Sequence, residues 1–156
     1  MKKTWKVLSL LAMSLLFFGC STNTTNNQHL EIEVSLTVSG VVEQELTTSD
    51  FNDMEWTELE ITRVSKDVET TVAAKGVLLS EVLDYLNISE FAIITVIAAD
   101  DYSQEYDEEV ALDSQTILVF FDGDSLIEED DGPIWLLAGN FANNLSIKQL
   151  KEIVVE

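Results

Sequence analysis

Most of the side chains in this sequence that are equipped for chemistry are carboxylates. One cluster, Asp122, Asp124, Glu128, Glu129, Asp130 and Asp131, lies in a loop between two apolar runs and has the oxygen donors that a calcium ion takes. Leu126 and Ile127 break the alternate-residue spacing of a calcium loop, so this stretch reads as a solvated loop. A second cluster, Asp100, Asp101, Glu105, Asp107, Glu108 and Glu109, has the groups for acid and base work. That work needs a carboxyl shifted by burial or by a charged neighbour, and nothing in the spacing supplies one. Tyr102 and Trp135 stand at loop ends, where an aromatic ring can stack on a flat heterocycle, although core is the first reading of both Trp56 and Trp135. The single histidine, His29, and the single cysteine, Cys20, leave no pair from which a soft metal site or a Cys/His nucleophile could be built. There is no serine elbow and no phosphate-cradling glycine loop. The sequence therefore assigns no catalytic residue and no metal ligand.

Charge and the N-terminus set the setting for these groups. There are 29 Asp and Glu against 8 Lys and Arg, a net charge of −21. Three of the bases, Lys2, Lys3 and Lys6, sit at the extreme N-terminus, so the remainder carries five bases against 29 acids, or −24. Phosphate backbones are bound by clustered Lys and Arg, which excludes nucleic acid as a partner. The same field suits an exported soluble domain or a basic membrane or secreted partner protein. After the lysines comes a short apolar run, Val7 to Phe18, with the layout of a secretory signal and too little length for a spanning helix. Leu16-Phe17-Phe18-Gly19-Cys20 resembles a bacterial lipobox, which implies a cleaved signal over residues 1–19 and a diacylated Cys20 that inserts into membrane lipid. Ser21 after the cysteine resembles the outer-membrane sorting pattern of two-membrane bacteria. Residues 20–29 then form a polar tether with no apolar periodicity, and the domain runs over residues 30–156.

Several elements must position the candidate residues. Leu30, Ile32, Val34, Leu36 and Val38 alternate with polar residues and predict a half-buried strand ending at Gly40, with a second short strand over Val41 to Leu46. Thr47 to Asp50 offer an N-cap for a brief helical turn carrying Phe51 and Met54. Leu59 to Val64 and Glu69 to Ala74 predict a hairpin about Ser65-Lys66-Asp67. Val77, Leu78, Leu79, Val82, Leu83 and Leu86 predict a helix stopped at Asn87. Phe91 to Ala99 reads as a central strand buried on both faces, Asp100 to Ser103 as a turn, and Thr116 to Phe121 and Ile134 to Leu137 as further core strands. Ser146 is placed to cap a last helix with Ile147 and Leu150, before a closing strand at Ile153 to Val155.

Five short segments in this order resemble the oxidoreductase molybdopterin-binding domain of the sulfite oxidase family. They are Leu36-Thr37-Val38-Ser39-Gly40-Val41-Val42, Lys75-Gly76-Val77-Leu78-Leu79, Ala99-Asp100-Asp101-Tyr102-Ser103, Phe121-Asp122-Gly123-Asp124-Ser125-Leu126 and Asp131-Gly132-Pro133-Ile134-Trp135-Leu136. The resemblance spans Leu30 to Glu156 and implies an α+β domain, a mixed and mostly antiparallel sheet with a few short helices, whose loops at one end hold a pterin cofactor. The family ligates molybdenum with a cysteine ahead of the Lys75-Gly76 position, where Ile61 to Ala74 contain none. Ser65 is the nearest polar stand-in, and a hydroxyl replaces a thiolate poorly on a soft metal. Trp135 stands where the family places an arginine. The resemblance thus implies Ser65, Asp101, Tyr102 and Trp135 as cofactor-side residues, and a pterin-like heterocycle in preference to molybdenum. The expected function is that of a lipid-anchored extracytoplasmic module, non-catalytic, binding such a heterocycle or a partner protein. The alternatives are a molybdopterin-dependent oxidoreductase without the usual cysteine, and an acidic interaction module with no small ligand.

Overall fold

A computed structural model of the protein describes residues 29–127 and 130–156. The expected signal, Cys20 and most of the tether lie outside the described residues, as do Glu128 and Glu129. The described chain forms β1 (Ser35–Gly40), β2 (Gln44–Thr47), α1 (Thr48–Asp53), β3 (Trp56–Ser65), β4 (Val68–Leu78) and α2 (Leu79–Tyr85). There follow β5 (Ile94–Ala98), β6 (Ser103–Tyr106), α3 (Glu108–Ala111), β7 (Thr116–Asp122), β8 (Ser125–Leu126), β9 (Trp135–Ala138), a 3₁₀ turn (Asn143–Leu145) and β10 (Leu150–Val155). Two sheets result, in the orders β2-β1-β10-β5-β6 and β3-β4-β7-β8, with β9 also pairing β7. All pairings are antiparallel except β1 with β10. This is the mixed, mostly antiparallel α+β architecture expected from sequence.

The main core lies between the sheets. Leu36 and Val38 of β1, Ile94 and Val96 of β5 and Ile153 and Val155 of β10 meet Leu118 and Phe120 of β7, with Phe51 of α1 and Leu79, Val82 and Leu83 of α2 packed in. Each such side chain taken fully out of water contributes about 1.5–3 kcal/mol. Two glycines are dictated by backbone approach: a Cβ on Gly76 would stand 1.8 Å from the Leu118 carbonyl oxygen, and one on Gly40, at φ +98°, 2.0 Å from that of Val155. A second apolar cluster occupies the far face of the β3-β4-β7-β9 sheet: Ile61, Val72, Ala74, Ile117, Val119 and Leu137, with Leu59, Leu78, Ile127 and Trp135 packed against it.

Four local expectations differ from the structure, each because hydrogen bonds between distant segments override a local pattern. Leu30 to Val34 are not strand: the Leu30 N–H and C=O are taken by the Asn52 side chain, and the Val34 N–H donates to the Thr48 hydroxyl. Val77 and Leu78 belong to β4, held in register against Leu118 and Ile117, so α2 begins only at Leu79; Asn87, at φ +57°, follows its end as expected. β5 alternates, with Ile94, Val96 and Ala98 buried and Thr95 and Ile97 partly exposed, because only one face of its sheet is covered. No helix follows Ser146: its hydroxyl accepts from the Ala138 N–H, Ile147 exchanges both backbone bonds with Leu136, and the chain enters β10. The hairpin forms as expected, with Lys66 and Asp67 both left-handed at φ +50° and +63°.

Candidate functional site

Trp135 opens β9 opposite Val119 and packs against the second apolar cluster. Two cations approach its ring: the Arg63 guanidinium carbon lies 5.5 Å and Lys148 Nζ 5.4 Å from the ring centre. Its indole Nε1 is buried and has no hydrogen-bond partner, the one such side-chain atom among the described residues. Burying a donor unmatched costs about 1–3 kcal/mol, so this N–H faces a place where an acceptor would be favourable. The ring expected as a stacking platform is thus already walled by core on one side and by cations. What it has left to offer is its N–H edge.

The cations are fixed by their own partners. Arg63, half-way along the outer part of β3, donates from Nε to Asn143 Oδ1 at 3.1 Å and from Nη2 to the Asn143 carbonyl at 3.0 Å. Partial burial depresses its pKa, though a guanidinium stays charged regardless. Asn143 in turn donates from Nδ2 to the Val64 carbonyl at 2.6 Å. Lys148 is bound by both oxygens of Asp131, at 2.6 and 2.7 Å. Because Asn143 follows β9 while Arg63 lies on β3, this contact bridges elements at opposite ends of the sheet order and closes it over the second cluster.

The 3₁₀ turn gathers the other candidates. Its three successive carbonyls, of Asn143, Asn144 and Leu145, accept from Arg63, from the Tyr102 hydroxyl at 3.0 Å and from the Tyr106 hydroxyl. Arg63 comes from one sheet and Tyr106 from the other, with Tyr102 in the turn leading to it, so the turn ties the two sheets together. Tyr106 is fully buried, and burial pushes its phenol well above the ordinary range, so it stays a neutral donor. Tyr102 is 46% exposed and also accepts from Gln104 Nε2 at 2.8 Å. Of the four residues implied from sequence, Tyr102 bonds this turn directly, and Trp135 is linked to it through Arg63. Ser65, the last residue of β3, follows directly on Val64, whose carbonyl Asn143 holds. Asp101, at φ +66°, pairs with Lys151 Nζ at 2.8 Å, which holds its carboxyl below the usual range. Arg63, Asn143 and Lys148 were not singled out by sequence: Arg63 and Asn143 are 80 residues apart, and no periodicity connects them.

Molybdenum with its pterin phosphate is a poor match to these residues. The only cysteine is Cys20, so β3 and β4 offer no thiolate, and no group of three His, Cys, Asp or Glu suited to a metal exists among the described residues. Of the five bases in the domain, Lys75, Lys148 and Lys151 are matched to Asp124, Asp131 and Asp101, and Arg63 is held by Asn143, so little cationic character is left for a phosphate. Shallow grooves of about 280, 410 and 290 Å³ lie elsewhere, against Glu58 to Glu60, Glu33 to Ser35, and Phe121 with Leu126. No helix among the described residues is long and apolar enough to cross a membrane.

The chain matches no protein-family model and no curated protein. Among solved structures it is similar to the sulfane dehydrogenase SoxCD from Paracoccus pantotrophus, with a TM-score of 0.67 at 17% sequence identity over 81% of this chain. The match spans 40% of the length of the SoxCD chain. At that identity the likeness is one of fold, and the expected sulfite oxidase-like fold stands.

Proposed function

We propose that this protein is a membrane-anchored, extracytoplasmic and non-catalytic module of the sulfite oxidase-like fold, which binds a small, flat heterocycle bearing acceptor oxygens at the Trp135 site. The observation that carries the reading is the buried, unpartnered Trp135 Nε1 beside two fixed cations. A pterin-like ring would meet this site edge-on, a ring carbonyl accepting from Nε1, with the Arg63 guanidinium near the same indole. Absence of catalysis is supported by the donor set: the domain has no cysteine, and no group of three His, Cys, Asp or Glu suited to a metal exists among the described residues. Anchoring rests on Cys20 and the lipobox resemblance.

The full chain, expressed in a host that makes molybdopterin and extracted in detergent, tests this directly. Metal content by mass spectrometry should show no stoichiometric molybdenum, while denaturation should release a fluorescent heterocycle that is missing from folded Trp135→Ala protein. Stoichiometric molybdenum would overturn the reading, and a bare wild-type protein would remove the ligand from it. Cys20→Ala should move the protein from the membrane to the soluble fraction; retention in the membrane would refute lipid anchoring.

A further inference from the structure

The outer part of the β3-β4 hairpin is sparsely covered. β3 is an edge strand of ten residues. From Glu58 outward its residues alternate: Leu59, Ile61 and Arg63 turn toward the second cluster, while Glu58, Glu60, Thr62 and Val64 are exposed. Their cross-strand partners Ala73, Thr71 and Glu69 are exposed as well, so one face of the ribbon is bare. At the tip Val64 and Val68 are 61% and 62% exposed. The two-residue turn makes Ser65 and Val68 the closing pair, so in an antiparallel ladder the backbone groups of Val64, Thr62, Glu60 and Glu58 point away from β4. Val64 confirms the direction, since its carbonyl is capped from outside by Asn143; no described residue bonds the outward groups of Glu58, Glu60 or Thr62. A long free edge is a template for strand addition, and proteins usually blunt it with lysine or proline. Here neither lies between Trp56 and Ser65, and the fringe is acidic.

We propose that this edge is a docking site for an extended, lysine- or arginine-bearing segment of a partner protein, which adds to β3 as a further strand. Charge complementarity selects the occupant. Glu58, Glu60 and Glu69 line the exposed ribbon, and the nearest base, Lys75, is already matched by Asp124 at 2.9 Å and Glu58 at 3.5 Å. A second copy of this chain is the poorer fit, because pairing two β3 edges would bring glutamates of like charge together across the new ladder. The main-chain bonds would supply affinity and the alternate basic side chains specificity.

The test uses the full chain in detergent and two end-blocked decapeptides, one alternating lysine with threonine and one alternating glutamate with threonine. The lysine peptide should bind, more weakly as salt rises, and should slow amide exchange at Glu58, Glu60 and Thr62; the glutamate peptide should not bind. Thr62→Pro, which removes an outward N–H and the hydroxyl bond to Thr71 but breaks no backbone bond to β4, should weaken binding at least tenfold. Glu58→Gln with Glu60→Gln should weaken it several-fold and flatten its salt dependence. Trp135→Ala should leave peptide binding unchanged, which separates this site from the heterocycle site. Binding that ignores both β3 variants, slowed exchange located elsewhere, or no binding at all would overturn the proposal. If Thr62→Pro fails to fold, the exchange map and the glutamine pair decide it.

Discussion

Asn143 is the point at which the domain should be most sensitive outside its cores. Asn143→Ala removes two side-chain hydrogen bonds, one from Arg63 Nε at 3.1 Å and one to the Val64 carbonyl at 2.6 Å, while the backbone bond from Arg63 Nη2 survives. A neutral hydrogen bond contributes about 0.5–1.5 kcal/mol and one to a charged group about 1.5–3 kcal/mol. Arg63 is only part-buried, which puts its bond at the lower end, so the variant should lose about 2–3 kcal/mol. With a urea slope of about 1–3 kcal/mol per molar, the unfolding midpoint should fall by roughly 1–3 M. Asn143→Asp divides the loss. It keeps an acceptor for Arg63, now charged, but sets a carboxylate oxygen against the Val64 carbonyl in place of the donor, so it should cost less than the alanine only as far as the charged Arg63 contact outweighs that repulsion. Urea titration of the three proteins, followed by tryptophan fluorescence because Trp135 sits beside Arg63, gives both numbers. An alanine variant as stable as wild type would refute the bridge. An aspartate variant as damaged as the alanine would show that the charged Arg63 contact does not outweigh the carboxylate oxygen set against the Val64 carbonyl.

Other consequences follow from single contacts. Tyr106→Phe deletes the buried hydroxyl and leaves the Leu145 carbonyl unmatched, and should cost about 1–2 kcal/mol in the same titration, whereas Tyr102→Phe, at an exposed site, should cost under about 1 kcal/mol. Gly76→Ala should prevent folding, visible as loss of the cooperative transition, because its Cβ would lie 1.8 Å from the Leu118 carbonyl oxygen and force β4 from β7. Asp101 should titrate below the ordinary carboxylate range by NMR, chiefly through its hydrogen bond to Lys151 and then the charge of that residue. Its folded pKa lies below the unfolded value of about 3.9, so the contribution of the pair is present above that pH and is lost as pH falls through the folded pKa. Lys151→Met should return the Asp101 titration to the ordinary range.

The parts of this fold that are visible in the sequence are those whose pattern repeats within one element. Leu36 and Val38 alternate on β1, where burial on one side leaves a two-residue period; the apolar run from Thr116 marks β7, which is buried on both sides; and the hairpin shows as two β-rich runs about Ser65 to Asp67. The misreadings occur where a distant group satisfies the backbone instead. Ile147 and Leu150 have helical spacing, yet Leu136 takes both backbone groups of Ile147, and a strand partner eleven residues away leaves no trace in local periodicity. The candidate site combines both situations. Trp135 and Tyr102 were visible as aromatic residues at loop ends, but whether Trp135 was core or platform depended on Arg63, Asn143 and Lys148. Arg63 and Lys148 looked in the sequence like two of five scattered bases in an acidic chain. Their scarcity gives them their effect: where most cations are neutralised by an adjacent carboxylate, a guanidinium held by an amide keeps its charge, and it keeps it beside the one buried side-chain N–H left unmatched among the described residues. In a domain of net charge −24, an oxygen-bearing ligand has few cations to meet, and Arg63 and Lys148 bring two of the five to the Trp135 ring. The proposed docking edge calls for the opposite kind of partner: Glu58 and Glu60 are exposed on the face of β3 turned away from Arg63, and only Glu58 meets a base, Lys75 at 3.5 Å, so the two sites would not compete.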